Sequence, residues 1–148
     1  TLTFQVNHNY DFGDFHRQVT LGPERAARLN PARTAIDRGF NTTIHHDAPV
    51  HAVDQLALIS AAVNRTTRSG KLLGAAQKIT VMEALKASTI NAAHQYFEES
   101  SKGSIQVGKL ADFVILSANP IRVRAEELAD IEVLETIKAG RSVYRKTP

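Results

Sequence analysis

One stretch, residues 42–50, constrains this chain more than any other, because it joins a strand pattern directly to a cluster of ionisable side chains. The β-branched residues of Thr42–Ile44 favour a pleated, half-buried strand. His45, His46 and Asp47 follow at once, and a proline comes two residues later. In α/β folds the carboxyl ends of strands commonly carry the groups that bind or react. The stretch therefore predicts a strand that ends in a functional loop, with an ordinary Asp-x-Pro turn as the alternative.

The segment before this stretch predicts a strand, two short helices and a second strand. Apolar and polar residues alternate over residues 2–6, which is typical of a strand. One helix is expected to begin near Pro23, and another to run from Ala32 to a cap at Gly39. A connection of this length suits a crossover, so we expect the strand at 2–6 to pair in parallel with a strand at 40–44.

A polar segment follows the first strand, and we expect it to form a loop over residues 7–16. It holds two histidines, two aspartates, a tyrosine and a glycine that could act as a hinge. One interpretation is a strand-end loop that covers a pocket. The other is a solvated turn whose aromatic side chains close the edge of the core, and the residues alone favour neither.

Two longer helices are expected after the central stretch. Residues 54–67 place apolar side chains at spacings of three and four, which gives one apolar face. Thr80 and Glu83 have the spacing of a capping box, in which each side chain accepts a hydrogen bond from the other residue's backbone N–H. A helix is therefore expected from Thr80 to about Phe97.

The remaining residues are richer in strand patterns. Ile105 and Val107 alternate with polar residues, and residues 113–116 form a continuous apolar run typical of a strand covered on both faces. The segment around Gly140 predicts a hairpin. The last third of the chain is thus expected to be a strand-rich unit attached to an α/β portion.

Composition excludes little but sets some expectations. The 148 residues carry a net charge of +3 without a dense basic run, and aromatic residues are few, so a nucleic-acid binder is the least supported class. The absence of cysteine excludes disulfides and thiolate zinc sites and is typical of the cytoplasm. No apolar run is long enough to suggest a membrane partner. Because Thr1 leads straight into a strand pattern, we expect a piece of a longer protein.

Three motifs give the chain a family resemblance. The first is a G-x-x-x-x-G-K-x-A-D pattern at residues 103–112, followed by the apolar run 113–116. The second joins Val81–Leu85 to Thr89–Ala93, and the third is Thr43–Val50. In order and spacing these resemble the C-terminal part of metal-dependent amidohydrolases, in the branch called amidohydrolase family 3 (the YtcJ-like proteins). The resemblance covers essentially the whole chain.

The resemblance implies an α/β fold built from two parts. Residues 1–101 are expected to be the last strands and helices of a (β/α)8 TIM barrel, and residues 102–148 a C-terminal segment of a small composite β-sandwich. Asp47 takes the place of a metal ligand that also acts as general base. The implied cofactor is a divalent metal, zinc, with one or two ions. No His-x-His motif occurs here, so the other ligands are expected on the missing N-terminal part of the same protein.

Six further side chains are expected to contact the substrate or to orient Asp47. Strand alternation places His45 on the same face as Asp47 and His46 on the opposite face. A histidine beside a metal ligand can orient that ligand by a hydrogen bond. The full set is His8, Tyr10, Asp14, His16, His45 and His46.

The function implied is that of a metal-dependent hydrolase of non-peptide, amide-type C–N bonds in small-molecule substrates. We expect activity in the intact protein and none in this chain alone. The alternative is a non-catalytic, self-associating module derived from an amidohydrolase, which would form homo-oligomers through exposed strands.

Overall fold

The computed structural model describes residues 1–147, and it begins with the expected parallel pair. Strand β1 (Leu2–Phe4) pairs with β2 (Thr42–Ile44) in parallel, with Leu2 opposite Thr42 and Phe4 opposite Ile44. All three residues of β2 are buried, so this strand is covered on both faces and is not half-buried as its β-branched residues had predicted. The carboxyl ends of both strands therefore meet at one edge of the sheet.

The crossover between these strands is helical throughout most of its length. Helix α1 (Asn7–Phe15) continues into a π-helical turn (His16–Thr20), and α2 (Gly22–Ala26) and α3 (Ala32–Asp37) follow. The expectation of a loop over residues 7–16 is wrong. Few of these residues are strong helix formers, so their propensities did not predict a helix. The packing of Gly13 against another segment stabilises the helical conformation.

That packing is unusually close. A methyl group added to Gly13 would lie 2.8 Å from Leu73 and 2.9 Å from Thr67, so only a glycine lets α1 approach this segment. Asn9, one turn earlier on the same side of α1, is also buried. Tertiary contact therefore stabilises a helix that its own sequence supports poorly.

Three helices follow β2. Helix α4 (Gln55–Asn64) is capped by Asp54, whose side chain accepts hydrogen bonds from two backbone N–H groups. A 3₁₀ turn (Ala75–Gln77) precedes α5 (Val81–Ser88), which begins with the expected capping box, and α6 (Ile90–Gln95) comes next.

The single helix expected to reach residue 97 is instead broken at Thr89. The backbone there has φ −126° and ψ −94°, outside the helical region. The Thr89 hydroxyl donates to the carbonyl of Leu85 at 2.7 Å, which is a local bond that threonine can make in competition with helical geometry.

The last part of the chain is a three-stranded antiparallel sheet in the order β3–β4–β5. The strands are β3 (Phe113–Leu116), β4 (Val133–Lys138) and β5 (Arg141–Arg145), and a 3₁₀ helix (Ala125–Asp130) joins β3 to β4. The hairpin predicted around Gly140 is confirmed.

Residues 102–112 form turns, so the strand expected from the alternation of Ile105 and Val107 is wrong. Gly103 and Gly108 both adopt positive φ, at 81° and 93°, and reverse the chain on either side of that pattern. The expectation that both faces of residues 113–116 are covered is also wrong, since Phe113, Val114 and Ile115 are exposed.

One hydrophobic core spans the α/β part and the connection before β4. It joins the end of β1 and strand β2 to helices α4 and α5 and to the 3₁₀ helix of residues 125–130. Its largest fully buried apolar side chains are Leu58, Leu128 and Val6. Among residues 1–147, no helix has both the length and the apolar character needed to cross a bilayer.

Candidate functional site

Asp47 lies where β2 ends, at the edge where the carboxyl ends of the two parallel strands meet. Its backbone has φ 59°, in the left-handed region, and its carboxylate is exposed. Gln5, which follows β1, donates a hydrogen bond from Nε2 to Asp47 Oδ2 at 3.1 Å. One neutral donor uses little of the hydrogen-bonding capacity of a carboxylate, which can accept about four. Asp47 is therefore held at this edge with acceptor capacity to spare.

The two neighbouring histidines differ in their surroundings. The backbone N–H of His45 donates to the carbonyl of Phe4 at 3.0 Å and so extends the pairing of the strands by one residue. Nε2 of His46 is buried and has no hydrogen-bond partner among the described residues. The backbone turns at Asp47, so strand alternation cannot decide which histidine shares its face, and both assignments stay predictions.

His8 and His16 are brought together by α1 and the π-helical turn. Their Nε2 atoms are 2.7 Å apart, their rings stack at a centroid distance of 4.9 Å, and Nδ1 of His16 lies 2.7 Å from the Thr20 hydroxyl. Burial and the neighbouring His16 lower the pKa of His8, and the negative charges of Asp11 and Asp47 oppose this only in part. The surroundings of His8 therefore favour its neutral form.

Asp14 and Tyr10 are directed elsewhere. Asp14 accepts hydrogen bonds from the Thr67 hydroxyl (2.9 Å) and from the hydroxyl and backbone N–H of Ser69 (2.8 and 3.1 Å). Desolvation raises the pKa of Asp14, but these hydrogen bonds outweigh it and leave that pKa below its usual value. Tyr10 contacts the Arg68 guanidinium, which lies 5.9 Å from its ring centre. The structure thus gives Asp14 a role in fixing the loop after α4.

Two further residues, His51 and Asp11, contact each other and were not singled out from the sequence. Nδ1 of His51 lies 2.6 Å from Oδ2 of Asp11, and the guanidinium of Arg68 also contacts that carboxylate. His51 is the one polar side chain in the otherwise apolar stretch 48–53, and that was a signal that could have pointed to it.

A cavity of about 650 Å³ opens between α1, the loop after β2 and α4. Its wall combines polar side chains with apolar ones such as Phe12 and Val50. Its lining includes Asn7, Tyr10, Asp11, His51, Ser60 and Arg68.

The described residues fit one part of a metal site. Within residues 1–147, no three histidine or carboxylate side chains are grouped so that they could hold an ion. Asp47 by itself suits a divalent cation, since its carboxylate is accessible and a carboxylate oxygen is a common ligand of zinc and of harder ions. Further ligands would have to come from outside these residues.

The G-K-x-A-D motif is structural in this chain. The Lys109 ammonium donates to the Ser104 hydroxyl (2.7 Å) and to the carbonyls of Lys102 (3.2 Å) and Glu99. Asp112 accepts from the backbone N–H of Ala139 at 2.7 Å. The motif therefore fixes the turns before β3 and after β4, and none of these contacts involves the Asp47 region.

Comparison with known proteins gives consistent matches. The sequence profile of the amidohydrolase family matches residues 1–144. The N-substituted formamide deformylase of Arthrobacter pascens is 32% identical over 120 residues, which are 81% of this chain and 22% of that protein. The putative amidohydrolase YtcJ of Bacillus subtilis (strain 168) is 32% identical over 130 residues, 86% of this chain and 25% of that protein. The chain thus spans at most about a quarter of each relative.

A solved structure shows the same fold at lower identity. An adenosine deaminase from Xanthomonas campestris with bound Zn matches with a TM-score of 0.61 and 22% identity, over 77% of this chain and 28% of that one. At this identity the match supports a shared fold and says nothing about substrate.

Proposed function

The chain belongs to the amidohydrolase family, and from that premise we propose that it forms part of a metal-dependent hydrolase of non-peptide C–N bonds. Its relatives include an N-substituted formamide deformylase, whose name points to a small molecule with a C–N bond as its substrate. The substrate class proposed here is therefore small amide-type compounds.

The proposed architecture places the chain at the end of a barrel. The parallel pair β1–β2 with its helical crossover is what two adjacent strands of a (β/α)8 barrel would look like. We assign residues 1–101 to the last strands and helices of this barrel, and residues 102–148 to a composite β-sandwich. The missing N-terminal part of the same protein would supply the other strands.

Asp47 carries the proposal, because its carboxylate lies after the carboxyl end of β2 and, among the described residues, accepts a side-chain hydrogen bond from Gln5 alone. One oxygen would hold a divalent ion, with zinc as the expected metal, and the other would accept a proton from the attacking water. A bound ion of this kind supplies Lewis acidity, which makes water nucleophilic at neutral pH. Gln5 donates to Oδ2 and so fixes the orientation of the carboxylate.

Four of the other predicted residues are assigned to the surroundings of the substrate or of Asp47: His8, His16, His45 and His46. His8 is paired with His16, and the lowered pKa of His8 favours an imidazole that can give or accept a hydrogen bond. His45 and His46 would orient the end of β2 around Asp47. We expect this chain alone to be inactive, because no three histidine or carboxylate side chains among residues 1–147 are grouped so that they could hold an ion.

The test is Asp47→Asn in the intact protein, with metal content and hydrolysis of N-substituted formamides and simple amides as readouts. Loss of the general base is expected to lower kcat by about 10²- to 10⁴-fold. Asp130→Asn, on the exposed end of the 3₁₀ helix, is the matched control and is expected to behave as wild type. Unchanged activity and metal content in Asp47→Asn would contradict the assignment.

A second candidate is a non-catalytic, self-associating module. It is favoured by the exposed apolar side chains of β3, where Val114 and Ile115 are accessible. Sedimentation of the intact protein combined with an amide hydrolysis assay separates the candidates, since a module would form oligomers and show no hydrolysis.

A further inference from the structure

The loop that carries Asp47 is held to the rest of the protein by very few side chains. Residues 47–54 contain no helix or strand, and seven of the eight are exposed. His51 is the exception, with 7% of its surface accessible. Asp47 and Val50 are also linked by a backbone hydrogen bond of 2.9 Å, so this end of the loop is one short turn that leads into His51.

His51 reaches across to α1. Its Nδ1 is 2.6 Å from Oδ2 of Asp11, and its ring packs edge-on against Phe12 at 6.1 Å between centroids. Nε2 of the same ring is buried and has no partner among residues 1–147. The contact with Asp11 is therefore the polar interaction that orients this imidazole.

Two groups contact the Asp11 carboxylate, but they differ in burial. The side chain of Arg68 is 70% exposed, whereas that of His51 is 4% exposed. An exposed ion pair contributes little because water screens it and both side chains lose freedom. A buried polar group that loses its partner is far more costly. The His51–Asp11 contact is thus the one that fixes the loop.

We propose that Asp11 and His51 form a clasp that positions Asp47 by fastening the loop after β2 to helix α1. They are positioning residues, since nothing in their geometry places them at the reacting atoms. The inference rests on the proposed role of Asp47, and it adds that metal binding depends on a contact between two strand-end segments. When a side chain that holds a metal ligand in place without touching the metal is removed, metal affinity typically falls by about 10- to 100-fold.

Two substitutions at the same position separate the clasp from general packing. His51→Asn keeps a nitrogen donor near the position of Nδ1, so it can still contact Asp11. His51→Gln places its amide nearer to the position of Nε2 and leaves Asp11 unmatched. Arg68→Gln is the control, because it removes only the exposed partner of the same carboxylate.

The first readout is hydrogen–deuterium exchange of the metal-free intact protein, followed in peptides that cover residues 45–54. His51→Gln is expected to exchange about tenfold faster there, which corresponds to one lost hydrogen bond to a charged group. His51→Asn and Arg68→Gln should stay within about twofold of wild type. Equal exchange rates in His51→Gln and wild type would overturn the proposal. An equal increase in exchange rate in His51→Gln and His51→Asn would overturn it as well.

The second readout is metal affinity by chelator competition, together with kcat and KM. His51→Gln is expected to bind metal about tenfold more weakly and to lose kcat at subsaturating metal, with KM little changed. If His51→Gln does not fold, Asp11→Leu takes its place, since it keeps the approximate shape of the side chain and removes both oxygens that can contact His51. Unchanged exchange and metal affinity in that variant would also refute the clasp.

The outcomes distinguish this inference from the function itself. If Asp47→Asn keeps full activity, the proposed function is wrong, whatever exchange rates are measured in the loop. If Asp47→Asn is inactive while His51→Gln exchanges and binds metal as wild type, the function stands and the clasp alone is wrong.

Discussion

Removal of the Glu83 side chain should lower stability markedly, because its carboxylate contacts two helices at once. Its carboxylate accepts from the backbone N–H of Thr80 at 2.7 Å and closes the capping box of α5. The same carboxylate accepts two hydrogen bonds of 2.8 Å from Nη1 of Arg33 on α3. Glu83→Ala therefore removes a helix cap and a link between two helices together.

The magnitude follows from these contacts. A helix cap contributes about 1 kcal/mol. The side chains of Arg33 and Glu83 are 25% and 27% exposed, so their pair lies between the surface and the buried range and contributes about 1–2 kcal/mol. We expect Glu83→Ala to lower the free energy of unfolding by about 2–3 kcal/mol, and Arg33→Ala, which leaves the cap intact, by about 1–2 kcal/mol.

Urea denaturation of the intact protein, followed by circular dichroism, provides the measurement. The double variant should be less destabilised than the sum of the single variants by about 1 kcal/mol, because both remove the same pair. Lys86→Ala, on the exposed side of α5, is the control and should change stability by less than about 0.5 kcal/mol. Full additivity of the two substitutions, or a Glu83→Ala cost below that of Arg33→Ala, would refute this reasoning.

The remaining predictions concern pH, backbone space and the G-K-x-A-D motif. Desolvation raises the pKa of Glu83, but hydrogen bonds from Thr80 and Arg33 outweigh it and depress that pKa below 4.5. The stabilisation is therefore present above pH 4.5 and lost as pH falls through the lower value, so urea titrations of wild type and Glu83→Gln should converge in acid. Gly74→Ala should cost about 3 kcal/mol or more by thermal unfolding, since a methyl group there meets a backbone oxygen at 1.9 Å with φ 70°. Gly70→Ala, with φ 79° in open space, should cost only about 1 kcal/mol. Lys109→Met should lower the melting temperature and leave kcat at 25 °C unchanged, which steady-state kinetics can check.

Features set by local chemistry were predictable from the sequence. The capping box needs only Thr80 and Glu83 three residues apart, and the hairpin around Gly140 needs only a turn between two short apolar segments. The parallel pairing of the first two strands followed from the length of their connection. The family prediction rested on motif order and is confirmed.

Features set by distant contacts were not predictable. Helix α1 depends on Gly13 meeting Thr67 and Leu73, which lie more than 50 positions away in the sequence. At the site, the position of Asp47 was predictable because a strand and a loop define it. The partnership of His51 with Asp11 was not, because two residues 40 positions apart meet only after the crossover has formed.

The left-handed backbone of Asp47 limits how this position can change during evolution. At φ 59°, aspartate and asparagine are tolerated better than other side chains that have a Cβ atom, and glycine is free of the penalty. Glutamate, the obvious alternative carboxylate, is disfavoured twice, because its longer side chain displaces the oxygens and its backbone pays about 1–2 kcal/mol. Descendants of this sequence are therefore expected to keep aspartate or to replace it with asparagine or glycine. Because neither replacement has a carboxylate, a single substitution at this position would remove the proposed metal ligand and base in one step.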